Sequence, residues 1–256
     1  MRRPPSIIIA GYTLIEALRS GLPWLAAASV VAALGLSGFL AQVAITEATA
    51  LQASICSALL RACAVFLIAT HVVASTAREA NDKGLELALA LPISRPAYYV
   101  GKLLGFACAG TLLATLFALP LALWARPGDL AAWWISLAAE TIMVAAAALF
   151  FASVLTQVVA AIAATAGLYL LARSISAIQA IAGSPLAGDS LPSDAARWVV
   201  DALALLLPRL DSVTRGDWLL YGAPPASELL LSLCGVALYL VLLAAAGLFD
   251  FSRRNL

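Results

Sequence analysis

Residues 131–155 read AAWWISLAAETIMVAAAALFFASVL, and one side chain among them, Glu140, carries a charge. An α-helix rises 1.5 Å per residue, so about 20 predominantly apolar residues cross a hydrocarbon core about 30 Å thick. This stretch is long enough to do so. Five others qualify, at about 23–45, 51–75, 103–124, 157–174 and 228–249, which predicts an all-α polytopic membrane protein with six spans. Composition agrees: 63% of residues are hydrophobic, 11% are charged, and the mean hydropathy is +0.99. So little polar surface cannot coat a water-soluble globule.

Residues 5–20 are too short and too mixed to span, with Tyr12, Glu16 and Arg19 beside Ile7, Ile8, Ile9, Leu14 and Leu18. They are expected to form an interfacial elbow helix. The start, Met1-Arg2-Arg3-Pro4-Pro5, precedes no small-residue cleavage site of a signal peptide, so the first segment is expected to stay in the mature chain. The fourth and fifth spans are separated only by the Thr156-Gln157 region and should form a tight hairpin.

The sides follow from Lys and Arg near the ends of the spans. With both termini inside, cytoplasmic segments hold Arg2, Arg3, Arg19, Arg78, Lys83, Arg95, Lys102, Arg253 and Arg254; the outer side receives Arg126, Arg173, Arg197, Arg209 and Arg215. That balance favours a cytoplasmic N-terminus and C-terminus. The net charge of +1 favours no nucleic-acid partner.

Charges inside spans are costly and point to function. Arg61 lies ten residues into the second span and Glu140 nine into the fourth, and both helices run in the same direction. At about 14 Å from one surface the two share a depth, which predicts an ion pair. The pair either fixes helix packing or lines a translocation path. His71 has no second ligand at helical spacing and is expected to pack or snorkel. The four cysteines, Cys56, Cys63, Cys108 and Cys234, fall in apolar runs without metal spacing and are expected to be buried. Trp24, Trp124, Trp133 and Trp134, with Tyr98 and Tyr99, are expected to anchor span ends in aromatic belts.

Two connections are long. In residues 76–102 the pairs Arg78/Asp82 and Glu79/Lys83 stand four apart with opposite sign, so a short amphipathic helix is expected over 78–90, ending before Leu91-Pro92-Ile93-Ser94-Arg95-Pro96. From the residues alone it is a solvated loop helix or a docking element. The outer connection, 175–227, should hold a helix with Ser193 as N-cap and Pro208 as its stop. It serves either as a lid or as a gate or dock for a periplasmic partner.

The run Arg78-Glu79, Lys83-Gly84-Leu85-Glu86, Leu91-Pro92-Ile93-Ser94-Arg95, Tyr99-Val100-Gly101-Lys102-Leu103-Leu104-Gly105 resembles the segment after the second span of type-2 ABC transporter permeases. The ending Phe249-Asp250-Phe251-Ser252-Arg253-Arg254-Asn255-Leu256 is similar to that family's closing tail, with Asn255 where an acid is usual. The chain looks closest to the small permeases grouped with copper-enzyme maturation. The resemblance implies a permease subunit without its own ATPase site, served by two copies of an ABC ATPase that bind ATP and Mg, and paired with a second copy of itself or with a related permease. Arg78, Glu79, Asp82, Lys83, Gly84, Glu86 and Arg95 would then form the coupling segment.

No phosphate-binding P-loop is present in the sequence, and no Ser/His pair, Asp pair or H-E-x-x-H helix within the spans points to an intramembrane protease. An ion-coupled secondary transporter using Arg61 and Glu140 is the competing reading, and a non-transporting assembly subunit is a third.

Overall fold

Six long apolar runs of the sequence become helices. The computed structural model describes residues 4–43, 48–82, 93–155, 157–182, 191–214, 216 and 218–253, with backbone alone at 43, 191–196 and 206. The elements are α1 (Pro5–Arg19), α2 (Leu22–Val43), α3 (Ala48–Asn81), α4 (Arg95–Leu121), α5 (Pro127–Val154), α6 (Val158–Ala182), α7 (Leu191–Leu206), a 3-10 turn (Leu210–Ser212), α8 (Trp218–Tyr221) and α9 (Ala226–Arg253). Six of them, α2, α3, α4, α5, α6 and α9, are long and apolar enough to cross a membrane. The chain is a multi-pass, all-helical membrane protein among its described residues.

Helix α5 is the hub, packing against α3, α4, α6 and α9. Its sequence explains why it can be surrounded. Small residues, among them Ala138 and Ala145 to Ala148, lie buried along it and let neighbouring backbones approach. Helices α2 and α9 lie outside this core and present large apolar side chains outward, Trp24 and Leu231 among them. In a bilayer that exposure meets acyl chains rather than water. Several hydroxyls are satisfied within their own helices, as where Thr165 Oγ1 donates to Ala161 O and Thr111 Oγ1 to Ala107 O. This is the economical solution where no water is available.

Helix α3 departs from the expected boundary. The amphipathic helix expected over 78–90 does not begin anew at residue 78, because residues 76–81 continue α3 without a break. No Gly or Pro interrupts 48–81, and Ala, Arg and Glu near its end favour helix, so nothing stops it at the membrane surface. Its 34 residues extend about 51 Å, well beyond the hydrocarbon core. Likewise α4 starts at Arg95 rather than 103, with Pro96 in its first turn, where a missing N–H is harmless.

Helix α1 lies across the first half of α4. A Cβ on Gly105 would stand 2.5 Å from Thr13 Cβ and 2.9 Å from Ala10 O, and one on Gly101 would stand 2.8 Å from Ser6 O. The Gly101-x-x-x-Gly105 spacing thus forms the trough in which α1 rests.

At the opposite end, Asp129 Oδ1 accepts a hydrogen bond of 2.7 Å from Ala223 N, tying the start of α5 to the turn before α9. Gly222 makes that turn with φ of +99°. Helix α7 folds back along α6, held where Gln179 Nε2 donates to Asp201 Oδ1 at 3.0 Å and Arg197 Nε donates to Ala182 O at 2.8 Å. It begins at Leu191, ahead of the expected Ser193 cap, because Pro192 is tolerated in a first turn.

Replacing Gly105 with Ile should lower the melting temperature of the purified protein markedly, since overpacking costs about 1–3 kcal/mol or more where backbone stands in the way. Gly35→Ala, where the added Cβ meets nothing within 4 Å, is the control. Equal melting of both variants would contradict the close α1–α4 packing.

Candidate functional site

Two polar networks are built on α3, one deep in the bundle and one at its end. The deep network begins with Arg61 and Glu140, each thirteen residues after the first residue of its helix, about 20 Å along the axis. The structure brings them together. Arg61 is 2% exposed and Glu140 is fully buried, with Arg61 Nη1 donating to Glu140 Oε2 at 2.5 Å. Arg61 Nη2 donates to Ser136 Oγ at 2.9 Å, and Ser136 Oγ in turn donates to Trp133 O. The guanidinium carbon lies 5.3 Å from the centre of the Trp133 ring.

The second carboxylate oxygen is also engaged. Tyr169 OH, from α6, donates to Glu140 Oε1 at 2.7 Å. Arg173 Nη1 donates to Tyr169 OH at 2.6 Å and stands 3.6 Å from Glu140 Oε1. One carboxylate therefore gathers two guanidinium groups and a phenol from α3 and α6. A charge taken from water loses several kcal/mol of solvation, which only good geometry and filled hydrogen-bond sites offset. Both conditions are met at Glu140.

Sequence reasoning missed Tyr169, Arg173 and Ser136. Arg173 had been placed among the outer flanking charges, yet it lies inside α6. The available signal was the four-residue spacing of Tyr169 and Arg173, which puts both on one helix face. Trp133 is likewise not an interfacial anchor; it is fully buried beneath Arg61, while Trp134 donates from Nε1 to Thr115 Oγ1 at 3.0 Å. Adjacent residues point about 100° apart on a helix, so only one of the two tryptophans can face the core.

The second network joins α1, α3 and α4 at the end of the bundle where the last turn of α9 also sits. Lys102 Nζ, on a largely buried side chain, lies 2.6 Å from Glu79 Oε2 and 3.9 Å from Glu16 Oε2. Ser75 Oγ donates to Glu16 Oε1 at 2.7 Å, and Arg78 Nη2 is 3.5 Å from the same oxygen. Tyr98 OH donates to Glu79 Oε1, and its ring stacks on Phe251 of α9. Arg95 Nη1 donates to Ser252 O at 3.3 Å.

Of the seven residues expected in the coupling segment, Arg78, Glu79 and Arg95 are thus in this network or at its edge. Asp82 is exposed one residue beyond α3, and Lys83, Gly84 and Glu86 lie outside the described residues. Arg78 is paired with Glu16 of α1 and Glu79 with Lys102 of α4, and the expected Glu79/Lys83 pair lies outside the described residues. Tyr98 and Tyr99 are buried at 7% and 3% exposure and act as packing residues, not belt anchors. A continuous α3 brings α1 and α4 against its final turns, and the tyrosines fill that junction.

His71 is buried with its ring edge against Phe106 at 6.1 Å. Of the cysteines only Cys56 is buried, and Cys108 and Cys234 are exposed on the bundle's outer faces, where a span needs no burial within protein to stay out of water. Among the described residues no group of three metal-ligating side chains stands together. What the two networks can do is hold helices in register and transmit displacement between them. No protein-family model and no curated protein sequence matches the chain.

Glu140→Ala should destabilise by about 3–5 kcal/mol, because it strands the buried Arg61 guanidinium, and Arg61→Ala should cost less, because Glu140 keeps Tyr169 and Arg173. The double variant should lose clearly less than the sum of the two. Tyr169→Phe should cost about 1 kcal/mol. Thermal unfolding of the purified variants measures this, and additive losses in the double variant would contradict a coupled pair.

Proposed function

We propose that this chain is the membrane-spanning permease subunit of a type-2 ABC transporter. It couples ATP hydrolysis by a separate nucleotide-binding subunit to export, or to mechanical work on an external partner. The observation that carries the reading is that a single uninterrupted helix, α3, holds both polar networks. Arg61 and Arg78 are seventeen residues apart on it, about 26 Å along the axis.

A push at the end bearing Arg78 and Glu79 is delivered by a continuous rod to Arg61, and through Glu140 to α5 and α6. The Glu16–Lys102–Glu79 contacts tie α1 and α4 to the same end, so these elements would move as a unit. ATP can drive such a change only through its different affinity for the two states of the assembly. In this scheme the ATPase, in two copies with ATP and Mg, docks on the segment from Arg78 to Arg95. A second permease copy completes the transporter, and both termini face the cytoplasm of a bacterial inner membrane.

The test is purification of the tagged chain in mild detergent, followed by assay for a co-purifying ATP-binding-cassette subunit and its ATP turnover. Arg78→Glu should lower the turnover several-fold in a complex that still assembles in the membrane, and Leu116→Ala, on an exposed apolar face, should not. Absence of any nucleotide-hydrolysing partner, with uptake or efflux in vesicles following an ion gradient, would overturn the proposal in favour of a secondary transporter.

A further inference from the structure

The outer connection and α9 enclose a groove of about 450 Å³ that neither polar network uses. One wall is the α9 face Leu231, Gly235, Leu238 and Leu242, and the other runs from Leu205 through Arg209. Leu231, Leu238, Leu242 and Leu205 are all more than half exposed, so the walls are apolar and open sideways. A Cβ on Gly235 would meet nothing within 4 Å, which leaves the middle of the groove clear.

Polar groups are few and point one way in chemistry. Arg209 is exposed in the lining, on the segment whose Leu207, Leu210 and Val213 pack by Leu233, Val236 and Tyr239, and no acidic side chain of the described residues pairs with it. Ser232 and Tyr239 also line the groove, and their hydroxyls have no hydrogen-bond partner among the described residues. Among the described residues that line it, the groove thus offers one cation, two free hydroxyl donors and no acid. Its α9 wall, from residue 231 to 242, is about 16 Å long, close to the thickness of one leaflet.

We propose that this groove is a binding site for an anionic phospholipid, taken from the leaflet at the end where α9 begins. The headgroup phosphate accepts from Arg209, and one acyl chain lies along Leu231, Gly235, Leu238 and Leu242. The surrounding solvent decides the occupant: α9 crosses the bilayer, so acyl chains are the apolar matter in contact with this wall. Arg209 supplies charge complementarity to a phosphate. A choline headgroup would set a second cation beside Arg209 and is disfavoured. This assignment needs only the six-span fold and stands whether or not an ATPase drives the protein.

Native mass spectrometry of the purified chain, equilibrated with phosphatidylglycerol or phosphatidylcholine of the same acyl chains, tests it. The wild type should retain one phosphatidylglycerol in preference to phosphatidylcholine by about tenfold, the size of one charge-assisted hydrogen bond. Arg209→Gln should bring the two lipids to parity. Arg126→Gln, an exposed arginine at the same end of the bundle, should leave the preference intact. Gly235→Trp should displace both lipids by filling the groove, and glycerol phosphate without acyl chains should not compete. Parity in the wild type, an equal effect of Arg126→Gln, full retention by Gly235→Trp, or competition by glycerol phosphate would each overturn the assignment.

Discussion

The carboxylate of Glu140 sits about 20 Å along α5, fully out of contact with solvent, and the arrangement of the core follows from the need to satisfy it. In lipid there is no hydrophobic drive to bring one apolar helix against another, so packing alone leaves rotation and depth weakly determined. A buried carboxylate removes that freedom. Oxygen Oε2 requires Arg61 and so fixes the height of α3, and Oε1 requires Tyr169 and so fixes the height of α6. Small residues around α5 then let these helices close in.

The second network repeats the logic with less burial. Lys102 is largely enclosed and meets Glu79 at 2.6 Å, whereas Arg78 is 60% exposed and stands 3.5 Å from Glu16. Exposed pairs contribute little, up to about 1 kcal/mol, so Lys102 is the organising cation and Arg78 a peripheral one. This difference suits their positions. Lys102 lies at the junction of α1, α3 and α4, while Arg78 remains turned toward whatever lies beyond the membrane surface.

Much of this was legible in the sequence, for identifiable reasons. The spans announce themselves because bilayer thickness imposes a length that few soluble helices combine with such composition. The Arg61 and Glu140 positions could be compared by counting because α3 and α5 run in the same direction with the same rise per residue. The expected starts at 51 and 131 were both late, by three and four residues, so the two depths shifted almost alike. Counting was blind to Arg173 because a residue near the end of an apolar run is indistinguishable from a flanking charge until the helix end is known. Helix α6 continues to Ala182, eight residues past the expected end of the fifth span, so Arg173 lies nine residues before the helix end rather than one. The continuity of α3 to Asn81 was missed for a different reason: the expected span ended where the charges begin, so the amphipathic helix expected from residue 78 stood as a separate element.

The deep network contains two guanidinium groups for one carboxylate, and the placement of the surplus charge is informative. Arg61, almost wholly buried, is matched by Glu140, Ser136 and the Trp133 ring. Arg173, 40% exposed, shares the same carboxylate at 3.6 Å and hydrogen-bonds Tyr169. The two partners are therefore not equivalent. A sliding of α3 that parted Arg61 from Glu140 would leave the carboxylate with Tyr169 and Arg173, whereas Arg61 would lose its only acidic partner among the described residues. The energetic consequence of such a movement falls on α3, the longest helix and the one that also carries the second network, while α5 and α6 stay joined through Glu140.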